Sequence, residues 1–500
     1  MRVRIVNDAP IASSGRYVLY WMIAARRARA SFALDRALEH ARALRRPLLV
    51  FEPLRAGYRW ASTRLHQFVL EGMHDNALAF NQPGVRYFAY LEPRPGDGRG
   101  LLAAFAADAA VVVTDEFPCF FLPRIVASAG RQLPVRLEAV DGNGLLPMRA
   151  AARVFPTAFS MRRYLQQNLA GHLCAMPNAT PFAEPAPGER PALPDGVAAR
   201  WPDVFTWLDR GGSLAGLPID QRITPTGLRG GAAAAAVRLA TFVDDDLERY
   251  VDDRNDPAAD VGSRLSPYLH FGHLSTHDVF NAVMRREGWL GAVPRGGGGA
   301  RQGWWGVSPA AESYLDQLVT WRELGFNMCS GRANYDQFES LPSWALATLR
   351  RHASDDRPEC YTPAELDEAR TADPLWNAAQ RQLRRDGRIH NYLRMLWGKK
   401  ILEWSPTPED ALATMIDLNN RYALDGGDPN SYSGIFWTLG RYDRPWGPER
   451  PIFGTVRYMS SENTARKVRV RDYLSQYGDQ PTLLGRAEPS APRKRVESGP

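Results

Sequence analysis

The sequence of 500 residues is poor in cysteine and lacks the spacing that holds a metal. Its four cysteines stand far apart, at Cys119, Cys174, Cys329 and Cys360. No Cys-x-x-Cys pair occurs, which disfavours a zinc site or a redox dithiol and favours four reduced, structural thiols. The residue pattern therefore predicts no metal centre.

Long hydrophobic runs are also missing. The longest apolar stretch, at 104–113, is interrupted by Asp108 and is too short to span a bilayer. The first residues, MRVRIVNDAP, lack the apolar core of a secretory signal. We therefore expect a soluble, cytoplasmic protein that does not bind membranes.

Neither charge sign dominates strongly. Lys and Arg number 62 against 55 Asp and Glu, which gives a net charge of +7. This excess permits a polyanionic partner such as nucleic acid but does not require one.

Strands and helices alternate in the first third of the chain. Short apolar strands are predicted at 17–23, 47–54, 85–91, 109–117 and 135–140, and helices at 27–44, 61–80 and 100–107. Continuous apolar strands between helices indicate a parallel sheet covered on both faces. We therefore predict a doubly wound, Rossmann-like α/β domain over residues 1–176.

This α/β domain lacks the glycines of a dinucleotide site. The turn after the first strand, at 23–27, reads IAARR instead of Gly-x-Gly-x-x-Gly. The later Gly142-Asn143-Gly144 has no third glycine and lies too far along the chain. Dinucleotide binding through that motif is therefore disfavoured.

The rest of the chain divides by composition. Residues 177–210 begin rich in Pro, Ala and Glu, a composition that buries little and suits a linker. Helical patterns then indicate an all-α domain over 211–479, with a glycine-rich loop at 291–306. Residues 480–500 are polar and rich in Pro and Arg, and we expect a disordered tail.

Two features of the all-α region could carry chemistry. Residues 262–267, GSRLSP, place Ser266 as an N-cap before Pro267 and suit a phosphate, although an ordinary capped helix has the same residues. Between 373 and 404, Trp376, Trp397 and Trp404 stand among cations; the last two share a helix face about 10 Å apart. Such indoles are either core aromatics or a path for single electrons.

Several long motifs resemble the photolyase/cryptochrome superfamily. The stretch 262–275, GSRLSPYLHFGHLS, is similar to its flavin-phosphate loop. The segments 2–22, 375–404, 418–437 and 453–459 look like those of class II cyclobutane pyrimidine dimer photolyases, in the same order. The resemblance implies an α/β antenna domain followed by an all-α domain that binds FAD. It also allows a second, antenna chromophore of unspecified identity.

The resemblance assigns expected roles around the flavin. The FAD phosphates and ribityl chain would be held by Tyr250, Ser263, Arg264, Leu265 and Ser266. Arg394 and Asp425 match an ion pair beside the isoalloxazine, and Asn419 matches the Asn that faces flavin N5. Trp397 matches the electron donor nearest the flavin, Trp376 a more distal, surface-side donor, and Trp404 a third member.

The implied substrate is UV-damaged DNA, repaired by a monomer. Trp321 and Trp437 match aromatic walls that hold a flipped-out pyrimidine dimer, with Met395 packed beside it. Candidate contacts to DNA phosphates are Arg441, Arg444, Arg457 and Lys467. The implied reaction is light-dependent splitting of cyclobutane pyrimidine dimers, a carbon–carbon lyase reaction driven by electron transfer from photoexcited reduced FAD.

Two residues depart from the family pattern. Gln317 stands where the family usually has a Glu that hydrogen-bonds the dimer, and Gln can donate an N–H but supplies no acidic proton. Its neighbour Asp316 is expected on another helix face. Asn391 stands where class II proteins usually have Gly. These departures leave an alternative, either a cryptochrome-like blue-light photoreceptor or a family member with impaired repair.

Overall fold

The computed structural model describes residues 1–291 and 297–479. The expected tail at 480–500 and part of the glycine-rich loop at 291–306 lie outside the described residues.

The N-terminal domain is built on a six-stranded sheet with the order β1-β6-β5-β2-β3-β4. The strands are β1 (Val3–Ile5), β2 (Tyr17–Trp21), β3 (Leu48–Leu54), β4 (Val85–Leu91), β5 (Ala109–Glu116) and β6 (Leu137–Asp141). The helices of this region are α1 (Phe32–Leu44), α2 (Thr63–Ala79), α3 (Leu101–Ala107), α4 (Leu122–Gln132) and α5 (Ala158–Asn168). The predicted α/β class is confirmed.

Most of the sheet is parallel, as predicted, and one antiparallel strand is added at its edge. Strands β2 to β6 pair in parallel, whereas β1 runs antiparallel to β6 at the edge. All three residues of β1 are exposed, so this strand has no buried apolar run that sequence patterning could detect. The central strands are buried on both faces: Val111 packs with α1, and Val112 packs on the opposite side with α3 and α4.

The turn after β2 is occupied by a side chain of the protein itself. One carboxylate oxygen of Asp115, on β5, accepts the backbone N–H groups of residues 23–25 at 2.8 to 2.9 Å. The other oxygen accepts the Tyr20 hydroxyl at 2.8 Å. In a dinucleotide-binding domain this turn holds the phosphates, which a carboxylate repels. The contact agrees with the missing glycine motif.

Residues 177–210 lie along the α/β domain and bury more than their composition predicts. They include the short helices α6 (Val197–Arg200) and α7 (Val204–Asp209). Trp201 is buried and donates from Nε1 to the Asp97 carbonyl at 2.8 Å. The apolar residues that follow the Pro-rich part provide this packing.

The rest of the described chain is helical. Its helices are α8 (Ala232–Thr241), α9 (Tyr250–Asp253), α10 (Ser266–His270), α11 (Thr276–Arg286), α12 (Pro309–Leu315), α13 (Arg322–Gly331), α14 (Ser343–Arg351), α15 (Pro363–Asp367), α16 (Pro374–Asp386), α17 (Asn391–Trp404), α18 (Pro408–Tyr422), α19 (Pro429–Thr438), α20 (Ser461–Lys467) and α21 (Arg471–Tyr477). Two π-helical segments, at Phe242–Asp246 and Asp316–Trp321, interrupt the α-helical geometry. None of the helices in the described ranges has the length and apolarity to cross a membrane.

Candidate active site

The loop before α10 is open beside Gly262. Leu265, not Ser266, is the N-cap, and no side chain caps the helix, so the predicted cap is displaced by one residue. Arg264 has a positive φ of 54°, a left-handed conformation uncommon for a non-glycine residue. A Cβ added to Gly262 would meet no atom within 4 Å, so room remains beside the loop.

Ion pairs hold this loop against the rest of the helical domain. Asp260 pairs with Arg264 and accepts two hydrogen bonds from Arg388, at 2.9 and 2.6 Å. Burial raises the pKa of Asp260, but the two guanidiniums outweigh burial and leave it below its ordinary value. Arg388 precedes α17, so it ties the loop to the helix that carries Arg394. Tyr250, which precedes this loop in the sequence, is buried, and its ring meets the Tyr314 ring edge-on.

Arg394 and Asn419 are brought together by the packing of α17 on α18. The Arg394 guanidinium donates to Asn419 Oδ1 at 3.2 Å. The expected ion pair with Asp425 is not formed, because the guanidinium turns toward Asn419. Among the described carboxylates none pairs with Arg394, and this half-buried cation is therefore available to an anionic group.

The three tryptophans are buried, and Trp376 contacts both of the others. Trp376 donates from Nε1 to the Trp397 carbonyl at 3.0 Å, and Trp397 donates from Nε1 to Gln380 Oε1 at 2.9 Å. The rings of Trp376 and Trp404 meet edge-to-face at 5.4 Å between centroids. Asp373 caps α16 by accepting the Leu375 and Trp376 N–H groups, which fixes where Trp376 stands.

Trp376 does not lie at the surface, contrary to the prediction. Its exposed fraction is 0%. The C-terminal helices cover α16: Ser461 donates to Asp373, and Tyr473 donates to Gln382 Oε1 at 2.9 Å. These helices follow α16 at long sequence separation, so local sequence gave no signal of the coverage.

Trp321 and Trp437 lie face to face. Their ring centroids are 4.6 Å apart and their planes differ by 22°, so the rings stack directly on each other. Both are half-buried, and Trp321 ends the π-helical segment that also carries Gln317. Asp316 points elsewhere, as predicted, and accepts two hydrogen bonds from Arg162 at 2.7 and 2.9 Å. The side chain of Gln317 is half-buried and makes no hydrogen bond to another described residue.

Arg441 is not a DNA contact, which corrects the prediction. It is 2% exposed, and its guanidinium donates to the Tyr335 carbonyl at 2.8 Å and to Ser340. The guanidinium carbon also lies 3.6 Å from the Phe436 ring centroid. A cation held in this way inside the domain cannot reach a phosphate.

The other predicted contacts remain accessible. Arg444 and Arg457 are exposed and flank Trp446, at 4.5 and 4.9 Å from its ring centroid. Lys467 is exposed on α20. Met395 is half-buried on α17, and Asn391 is exposed at the first position of that helix.

The sequence was compared with known proteins. It is 32% identical to a deoxyribodipyrimidine photo-lyase of Methanothermobacter thermautotrophicus over 481 residues, covering 95% of this chain and 97% of the relative. The chain belongs to the deoxyribodipyrimidine photolyase family. Photolyases of Potorous tridactylus and Arabidopsis thaliana are 31% and 30% identical over 94% and 95% of this chain, and over 83% and 92% of their own. No family model matches the sequence.

Two solved structures share the photolyase fold. A class III photolyase from Agrobacterium tumefaciens aligns with a TM-score of 0.63 and 16% identity over 93% of this chain and 86% of its own. A cryptochrome from Synechocystis sp. PCC6803 aligns with a TM-score of 0.66 and 15% identity, over 92% and 88%. The photolyase/cryptochrome family binds FAD, and its enzymes are lyases of DNA repair.

The residues present fit a flavin dinucleotide of this photolyase family. The loop at 262–266 has space beside it, and Arg394 is a cation without a carboxylate partner among the described residues. Asn419 offers an amide next to that cation. Together they provide polar groups for phosphates and for an anionic ring system.

Three buried residues that the sequence did not single out lie next to the candidate site residues. Gln380, one turn after Trp376 on α16, holds the Trp397 indole, and Asn420 bonds Asn419 at 3.1 Å. Lys399 is buried and donates to the Thr438 carbonyl, and burial lowers its pKa to about 7. The only signal of these three residues in the sequence was their position, because each lies within a few residues of one that the family motif marks.

Arg441 and Arg457 give a contrasting pair of variants. We expect Arg441→Ala to lower the free energy of unfolding by about 2–4 kcal/mol, because it removes buried hydrogen bonds and leaves a cavity. Arg457→Ala should leave stability unchanged, weaken DNA binding and reduce the salt dependence by about one phosphate contact. Denaturant unfolding and DNA titrations at several salt concentrations measure both. A stable Arg441→Ala protein with weakened DNA binding would restore Arg441 as a phosphate contact.

Proposed function

We propose that this protein is a class II photolyase that repairs cyclobutane pyrimidine dimers in UV-damaged DNA under light. The observation that carries the proposal is the stacked Trp321–Trp437 pair, with Gln317 on the same π-helical segment as Trp321. Once separated, these two flat, half-buried rings would supply faces on which extruded bases stack. A carboxamide four residues away can donate an N–H to a base carbonyl.

FAD would be held by the loop at 262–266 and by Tyr250, Arg394 and Asn419. When bound in its reduced state, FAD would supply light-driven, one-electron chemistry to the dimer. Arg394 would stabilise negative charge on the flavin, because a half-buried cation acts strongly in a site of lowered dielectric constant. The buried group of Trp397, Trp376 and Trp404 supports a route by which electrons reach the flavin.

Repair can be tested directly. The purified protein, with its flavin chemically reduced, is mixed with an oligonucleotide that contains a thymine dimer and is illuminated with blue light. We expect dimers to disappear in the light and to persist in the dark. Persistence of the dimer in the light, with the flavin still reduced, would rule out the lyase. The absorption spectrum of the same sample reports the flavin and any antenna chromophore.

Gln317 favours a second candidate, a photolyase-fold protein with weak repair or a blue-light receptor. Its amide has no hydrogen-bond partner among the described residues, so none of them holds it away from a ligand. An amide N–H is a weaker donor to a developing anion than a carboxylic acid O–H, because the amide proton is far less acidic.

We expect Gln317→Glu to raise the repair yield per absorbed photon, by up to about fivefold for a gain of roughly 1 kcal/mol. The comparison uses the dimer-splitting assay under identical flavin reduction. Asp316→Asn, which weakens the ion pair to Arg162, is the control for a general disturbance of this segment. An equal or lower yield in Gln317→Glu would show that Gln317 does not limit repair.

A further inference from the structure

A line of hydrogen-bonded side chains leads away from Arg394 into the protein. Arg394 donates to Asn419 Oδ1 at 3.2 Å, and Asn419 Nδ2 donates to Asn420 Oδ1 at 3.1 Å. Asn420 Nδ2 then donates to the Tyr432 hydroxyl at 3.3 Å. A backbone group joins from the side, because the Gly427 N–H donates to Asn420 Oδ1 at 2.8 Å.

Donors without acceptor capacity fix the direction of this line at two points. A backbone N–H and a guanidinium can only donate, so each must meet an oxygen. The Gly427 N–H therefore requires that Asn420 point its Oδ1 toward Gly427. The Arg394 guanidinium requires that Asn419 point its Oδ1 toward Arg394. Rotating the Asn419 amide by half a turn would set N–H against guanidinium and oxygen against oxygen. Both of its present hydrogen bonds would be lost.

The loop at 425–428 is shaped to supply the Gly427 contact. A Cβ on Gly426 would lie 2.8 Å from the Asn420 Cα, so only glycine lets the loop approach this closely. Gly427 has a φ of +80°, which turns its N–H back toward α18. Asn419, Asn420 and Tyr432 are all buried, so water cannot readily replace a broken bond.

We infer that Asn420 is a positioning residue that locks the Asn419 amide with its oxygen toward Arg394 and its nitrogen toward the protein interior. The inference rests on the proposed function, in which Arg394 and Asn419 lie beside the flavin ring. Asn419 then keeps a free oxygen lone pair on the cofactor side. The Asn419 amide can then no longer turn its N–H toward the cofactor to act as a donor.

This lock favours one state of the cofactor. Reduced flavin carries a hydrogen on N5 and needs an acceptor, whereas oxidised flavin offers a lone pair there and needs a donor. An amide held with oxygen outward stabilises the reduced form selectively. Asn420, which touches no cofactor atom itself, would thus bias the flavin toward the state that repairs DNA.

The test compares two unlocking variants with a matched control. Asn420→Leu and Asn420→Ala remove the acceptor for Gly427 and for Asn419 Nδ2. Tyr432→Phe removes only the far end of the line and keeps both hydrogen bonds that Asn420 Oδ1 accepts. Two quantities are measured on each FAD-containing protein: the ratio of reduced to oxidised FAD at a fixed solution potential, and hydrogen exchange of the Gly427 N–H.

We expect the reduced-to-oxidised ratio to fall about three- to tenfold in both Asn420 variants, as the loss of one hydrogen bond predicts. Exchange at Gly427 should accelerate in the same two proteins, and Tyr432→Phe should match the wild type in both measurements. An unchanged ratio despite faster exchange at Gly427 would overturn the inference and leave the proposed function standing. If the wild type binds no FAD, the proposed function fails and the inference with it, while slow exchange at Gly427 still reports the hydrogen bond.

Discussion

Replacing Trp397 with Phe is expected to abolish the photoreduction of oxidised FAD while the flavin remains bound. The Trp376 indole N–H donates to the backbone carbonyl of Trp397, and the Trp376 ring meets the Trp404 ring edge-to-face. Phenylalanine fills a similar volume but is much harder to oxidise than indole, so the first link would be lost without a large cavity. The measurement is the absorbance of oxidised flavin during blue illumination with an external reductant.

A buried tryptophan outside this group of three provides the control. Trp305 packs against Phe280 at 5.2 Å between centroids, and Trp305→Phe should photoreduce normally. Trp397→Phe also leaves Gln380 Oε1 without its donor, which costs about 1–3 kcal/mol of stability, so folding is checked by thermal unfolding. Dithionite should still reduce the flavin in this variant. Undiminished photoreduction in Trp397→Phe would exclude Trp397 as the first donor.

Replacing Trp437 with Ala is expected to weaken binding of dimer-containing DNA by about ten- to a hundredfold. Stacking of a base on an aromatic side chain contributes about 1–3 kcal/mol, and Trp437 is one of the two stacked rings at this site. Affinity for undamaged DNA should change little, because phosphate contacts such as the one predicted for Arg457 supply that binding. Anisotropy titrations with matched damaged and undamaged duplexes measure both.

The half-buried Trp207, on α7, serves as the matched control for this variant. Trp207→Ala removes an indole of the same size far from α19 and should keep the full preference for damaged DNA. Trp437→Phe should recover part of the lost affinity, since a smaller ring still offers a flat face. Equal losses for damaged and undamaged duplexes in Trp437→Ala would place Trp437 outside the dimer pocket.

The α/β domain could be predicted closely because its core elements are locally coded. Val85–Leu91 was predicted with the bounds that the structure gives, since an apolar run between turn residues has few other solutions. Strand β1 was missed because it is exposed, and its pairing with β6 joins residues more than 130 positions apart. The burial of Trp201 was missed for a related reason: its partner carbonyl, on Asp97, belongs to a distant loop.

The candidate site could be predicted in its members but not in their contacts. The motif around Asn419 identified a residue beside Arg394, yet the missing Arg394–Asp425 pair depends on a side-chain orientation that no pattern encodes. Arg441 looked like surface charge, and only the packing of the Tyr335 and Ser340 region showed that it is buried. Residue type and spacing predict which groups are available. Long-range packing determines which of them meet.

In the proposed function, the closed stack of Trp321 and Trp437 would affect how the protein scans intact DNA. Because each indole covers the other, the free protein offers no ready slot to an ordinary base. A nucleotide that enters must first separate two rings whose contact contributes about 0.5–1.5 kcal/mol, and an intact base must also leave its own pair and stack. A dimer is already poorly stacked, so leaving the duplex costs it less than it costs an intact base. The two side chains proposed to hold the lesion would therefore also act as a filter that shortens every encounter with undamaged sequence.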